Sequence, residues 1–118
     1  MFLTQMHVTP LPLSDTQWRL TAPLVFRSIV LSETITIPHG FITDFASIPE
    51  WMPLANWLLR DVGREAACLH DYLITGNEYD RADCDAVYKE ALDYDPRIPS
   101  WKRWILYSAV TIYRWIRR

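Results

Sequence analysis

Cysteine is scarce in this sequence, with Cys68 and Cys84 standing alone in 118 residues. They have neither the paired spacing of a zinc site nor the density of a disulfide scaffold, so reduced, buried thiols are expected. A strong charge bias is lacking too. The formal net charge of -2 and a sequence pI near 5.8 argue against the general electrostatic footprint of a nucleic-acid-binding protein. Long apolar runs are also missing. The most apolar stretch, Trp104 to Tyr113, is about half of the ~20 residues that span a bilayer, so no transmembrane segment is expected. Met1-Phe-Leu-Thr-Gln-Met6 lacks the basic start and continuous apolar run of a signal peptide, and Pro10 and Pro12 interrupt the residues after it. A cytoplasmic chain is expected on that ground. No internal repeat or low-complexity linker divides the sequence, which predicts one domain over 1–118, β-rich in 1–48 and helical in 50–118.

What the chain does have is apolar mass. Half of its residues are hydrophobic, with six tryptophans and six tyrosines, enough for a core without disulfides or metal. After a proline-punctuated lead-in, Gln17 to Thr21 and Leu24 to Val30 carry the aromatic and β-branched residues of short strands, broken by Ala22-Pro23. Thr34 to Ile37 alternates polar and apolar, Pro38-His-Gly40 supplies a turn, and Phe41 to Thr43 resumes an extended pattern. The fold class expected is α+β, a small N-terminal antiparallel β-sheet packed on about three C-terminal helices.

The chemistry centres on Arg64 to Ile74. Ala66, Ala67, Leu69, Leu73 and Ile74 recur at helical spacing, and His70 falls beside that apolar stripe. An imidazole there needs a hydrogen-bond partner or a metal. It is either a core histidine satisfied by a carbonyl or carboxylate, or part of a working site together with Asp71. Thr75-Gly-Asn-Glu78 breaks this helix, Asp80 can cap the next, and a helix from about Arg81 to Leu92 follows, with Asp83 suited to its first turn. Its apolar positions are Ala82, Ala86, Val87, Ala91 and Leu92, and Asp85 lies on the Ala82 and Ala86 side. That carboxylate pairs either with Lys89 at the surface or with His70 across the seam. The short connection and Gly76-Asn77 favour antiparallel helices, so His70 and Asp85 are expected to meet, with Asp44 at the edge of the same cluster.

Gly40-Phe-Ile-Thr-Asp-Phe-Ala-Ser-Ile-Pro49 runs an apolar strand into Asp44 and Ser47, which serve either as turn-capping groups or as site residues beside His70. Glu50 to Arg60, with Trp51 and Trp57, is either a packed connector or a cover for the site. In the last helix, capped by Ser100, the positions Trp101, Trp104, Ile105, Ser108, Ile112 and Trp115 form one stripe, expected to close the core. The same aromatic and basic helix can instead rest on a membrane surface.

Three pieces of this sequence, Gly40 to Pro49, Leu69-His-Asp-Tyr-Leu73 and Arg81-Ala-Asp-Cys-Asp85 ahead of an Ala-rich helix, together resemble the short phage and prophage proteins of the DUF1353 family, over about Trp18 to Tyr113. The resemblance implies a phage or prophage source and assigns no chemistry. The His70-Asp71 pair, followed by a helix carrying Asp85, is also distantly similar to the His-Asp helix pair of secreted phospholipases A2. Those enzymes bind calcium through a glycine-rich loop, whereas here Gly40 is followed by Phe-Ile-Thr.

Two functions remain open on these residues. In a hydrolase acting on an ester, phosphoester or cell-envelope substrate, His70 is the general base for water or Ser47, and Asp85 or Asp44 orients the imidazole. Asp71 then helps to bind substrate or a divalent metal, for which Asp44, His70 and Asp71 are the candidate ligands. In a non-catalytic virion, tail-assembly or host-directed protein, the same cluster is structural and the partner is a phage or host protein.

Overall fold

The structure is a computed structural model that describes residues 1–13, 17–43 and 63–116, excepting the side chains of 109, 110 and 113–116. Five strands come first: β1 (Val8–Pro10), β2 (Trp18–Leu20), β3 (Leu24–Ser28), β4 (Glu33–Ile37) and β5 (Ile42–Thr43). Three helices follow: α1 (Arg64–Gly76), α2 (Arg81–Asp93) and α3 (Ser100–Ile116). This is the expected α+β arrangement, with the strands divided into two small antiparallel sheets. One is the β3-β4 hairpin and the other has the order β1-β2-β5. The sequence pattern did not single out β1, which pairs Val8 with Leu20 and ends at Pro10, opposite Trp18. Proline suits that place, the end of an edge strand where no ladder donor is needed.

Alternation sets the hairpin register. Leu24 pairs with Ile37 and Phe26 with Ile35, and all four side chains are buried, while Arg27, Thr34 and Thr36 face out. Each such apolar side chain contributes ~1.5–3 kcal/mol when fully buried. A one-residue slip would turn the polar set inward and lose several of these together. The turn after β4 closes with Phe41 N–H on the Pro38 carbonyl, and Gly40 takes a φ of 92° that disfavours a side chain.

The helices explain how one core joins both halves. Gly63 opens α1 in the left-handed region, at φ 70°, and it is buried. A Cβ placed there would come within 2.9 Å of Leu92 and 3.4 Å of Leu106, so a residue without a side chain is required where α1 meets α2 and α3. The helix ends at Asn77, whose left-handed backbone returns its N–H to the Ile74 carbonyl. Asp80 then caps α2 as the sequence suggested, accepting from Asp83 N–H at 2.8 Å. Gly63 lies against Leu92, and His70 against Asp85. The start of α1 therefore meets the end of α2, and the pair runs antiparallel. Its seam differs from the expected one in one respect. Ala82 is exposed, and the buried face of α2 is Cys84, Asp85, Val87, Tyr88, Ala91 and Leu92. Tyr88, which is not among the expected apolar positions, is fully buried.

The last helix departs further from expectation. Its aromatic stripe does not close the core: Trp101, Trp104 and Ile112 are exposed, whereas Leu106 is buried and Ile105 and Tyr107 are partly so. Two contacts set this rotation. Arg103 donates to the Asp93 carbonyl at the end of α2, and Leu106, one turn later, packs towards Gly63. Residues three apart share a helix face, so seating Arg103 against the end of α2 and Leu106 beside Gly63 turns Trp101, Trp104 and Ile112 away from the core. Trp115 belongs to the same stripe by spacing, and its side chain lies outside those described.

Candidate functional site

His70 sits in the middle of α1 and Asp85 one turn into α2, and the antiparallel seam brings them face to face. His70 Nε2 and Asp85 Oδ1 are 2.6 Å apart. Asp85 is fully buried and His70 retains 5 % exposure. With a carboxylate as acceptor, the ring proton is assigned to Nε2, which donates, and Nδ1 is the nitrogen left as a base or ligand in the neutral ring. The Tyr88 ring, also fully buried, lies against the imidazole with centroids 5.0 Å apart. One face of His70 is thus packed and one nitrogen is fixed. Both restrict its rotation, as an oriented base or a structural clasp requires. Lys89, the alternative partner for Asp85, pairs instead with Asp93 at 3.2 Å on the surface.

The surroundings are apolar and acidic. Cys68, on the same helix, has its thiol pushed up to about 12, by burial first and by the charge of Asp71 next, while a hydrogen bond with Thr43 works in the other direction. Buried Thr43 ends β5, which packs against α1. Cys84 is pushed up to about 11, again by burial first and then by Asp85. Both thiols are free and buried, in keeping with the expectation from their spacing. At pH 8 neither should react with a thiol reagent in the folded chain, while both should react in denaturant. A mass-resolved labelling experiment checks this, and rapid modification of Cys68 in the native protein would mean that α1 opens locally.

Asp71 is half-buried on α1, next to His70. The other two proposed site residues, Asp44 and Ser47, lie outside the described residues, as do Glu50 to Arg60 with Trp51 and Trp57. His7 and His39 are exposed and do not join the buried His70. Among the described residues, which do not include the candidate ligand Asp44, no group of three or more histidines, cysteines and acids could hold a metal ion. Of the clefts lined by described residues, one of about 250 Å³ runs between β4 and the end of α1, past Glu33, Thr36, Tyr72 and Tyr79. Neither His70 nor Asp85 lines it.

One polar constellation gave no signal in the sequence. Glu90 of α2 reaches back to the hairpin turn, accepting from Ser28 Oγ at 2.8 Å and from Ile29 N–H at 2.7 Å, and Ser28 Oγ in turn accepts from Leu31 N–H. A helix glutamate followed by Ala91 and Leu92 reads as a solvent-facing residue. No local spacing announces a partner 62 positions away.

Fold and site together define a class: a small α+β protein whose two N-terminal sheets rest on a helical hairpin that holds a buried histidine-aspartate pair. The chain belongs to the DUF1353 family, described as proteins of unknown function, whose model matches residues 18–110. No curated protein and no solved structure matches the chain.

Proposed function

We propose that this protein is a phage- or prophage-encoded hydrolase in which His70 is the general base and Asp85 orients it. The supporting observation is the 2.6 Å contact from Nε2 to a fully buried carboxylate, which leaves Nδ1 as the nitrogen available to take a proton from water or a hydroxyl. Asp71, one residue on and partly exposed, is the group to contact substrate or a divalent metal. Asp44 and Ser47 follow Thr43 in sequence, and Thr43 ends β5, which packs against the same helix. Ester, phosphoester and cell-envelope substrates suit a positioned base of this kind, acting in the bacterial cytoplasm or within a virion.

A second reading is favoured by burial: the dyad is a clasp between two helices in a non-catalytic virion or host-directed protein, because His70 is almost sealed and packed on Tyr88. One variant separates the two. His70→Gln keeps an amide donor for Asp85 but has no basic nitrogen, so it should preserve most of the stability while lowering any hydrolysis by ~10²–10⁴-fold. The measurement is turnover of ester, phosphoester and peptidoglycan substrates beside a melting curve. Activity that persists in folded His70→Gln would eliminate the catalytic role. No turnover of any substrate by the native chain, with a large stability loss in His70→Ala, would favour the clasp.

A further inference from the structure

One face of α3 is left uncovered by the other described residues. Trp101 is 54 % exposed, Trp104 70 % and Ile112 45 %, and the three lie along one side of the helix, turned away from the Arg103 and Leu106 contacts. Large apolar side chains contiguous on a surface mark a contact site. Charge indicates the occupant. Residues 100–118 contain Lys102, Arg103, Arg114, Arg117 and Arg118 and no acidic residue, whereas all the acidic residues of the chain lie in 1–99. A near-neutral whole thus divides into an acidic 1–99 and a basic 100–118. An exposed aromatic face in a segment whose charges are all positive suits the interface of an anionic bilayer, with the rings at headgroup depth and Lys102, beside Trp101, reaching the phosphates. None of the helices among the described residues is long and apolar enough to cross a membrane, so such a helix would lie on the surface rather than span it. The open face is aromatic, with Lys102 Nζ over the Trp101 ring at 5.4 Å and Arg103 engaged by Asp93 and Ser100. A nucleic-acid partner would require several free cations on that face, whereas a bilayer interface takes up the apolar rings themselves.

We infer that α3 is a peripheral membrane-docking helix, which seats the protein on anionic lipid through Trp101, Trp104 and Ile112. This does not depend on whether the His70 site is catalytic. The test is sedimentation of the full chain with vesicles of phosphatidylglycerol and phosphatidylcholine mixed equally, against pure phosphatidylcholine, at low and high salt, with tryptophan emission recorded in parallel. Binding is expected on the anionic vesicles only, weakening as salt rises, with a blue shift of the emission. Trp104→Ser should weaken it about tenfold. Lys102→Glu should weaken it about tenfold as well, and more at low salt than at high. Both side chains are outside the core, so circular dichroism should remain that of the native chain. Absence of binding to anionic vesicles would overturn the inference. So would equal binding by folded Trp104→Ser, or a concentration-dependent dimer that the same substitution dissociates, which would assign the face to a second copy of the chain.

Discussion

His70→Ala is expected to lower the stability of the folded chain by about 3–5 kcal/mol, the loss incurred when one member of a buried pair is removed and the other stays behind in the core. For a domain of this size that is a fall in Tm on the order of 10–20 °C. The size of the effect comes from Asp85, which is fully buried and would lose a donor held at 2.6 Å. Asp85→Ala should be comparably damaging, because the imidazole then loses its acceptor while Tyr88 still packs against its ring. The two losses should not add. Replacing both polar groups by apolar ones, as in His70→Phe with Asp85→Leu, leaves neither member of the pair stranded, so the double variant should lose clearly less than the sum of the single ones. A double-mutant cycle by chemical denaturation measures this. Strict additivity would mean that the two side chains are not each other's principal partner.

Glu90→Ala should cost about 2–4 kcal/mol and Glu90→Gln roughly half of that. The carboxylate offers two acceptor oxygens to two donors, Ser28 Oγ–H and Ile29 N–H. Glutamine retains one acceptor and turns an amide NH₂ towards the other donor, so one bond survives. Alanine removes both and leaves the buried Ser28 hydroxyl without its helix partner. Urea melts of the two variants check the order. Equal losses would show that charge at Glu90 matters more than its geometry, and no loss would show that the hairpin turn holds without α2.

Much of this was readable in the sequence wherever the determining interaction is local. Alternation from Leu24 to Ile37 reports the two faces of a hairpin, and Asp80 with Asp83 marks a helix start because the capping bond spans three residues. The His70 and Asp85 contact is non-local, but it arises from two local facts. Each residue lies on the inner side of its helix, and the Gly76-Asn77 reversal lets those helices fold back on each other. Legibility failed where a partner is distant or where two faces compete. Glu90 is chosen by the turn of the β3-β4 hairpin. On α3 the apolar stripe through Trp101 and Trp104 was the stronger periodic signal, yet rotation is set by Arg103 on a carbonyl and by Leu106 in the space beside Gly63. Neither contact shows in periodicity. On α2, Ala82 counted as apolar although an alanine is equally at home in water, and Tyr88, counted as neither, occupies the core.

Helix α2 contributes one carboxylate, Asp85, to α1 and another, Glu90, to the hairpin, five positions apart and so about 140° around the helix. The two clasps close loops of very different length, 15 residues for the first and 62 for the second. Closure entropy rises by about 0.6 kcal/mol for each doubling, so the longer loop carries roughly 1.2 kcal/mol more. The chain therefore has a natural order of assembly. Its helical hairpin can form from neighbouring sequence, with the imidazole and carboxylate meeting early, and it then presents Glu90 as a ready-made dock for the distant β-turn. Contacts close in sequence come first and the long-range one completes the core, so the pair proposed for chemistry also belongs to the segment around which the rest can condense.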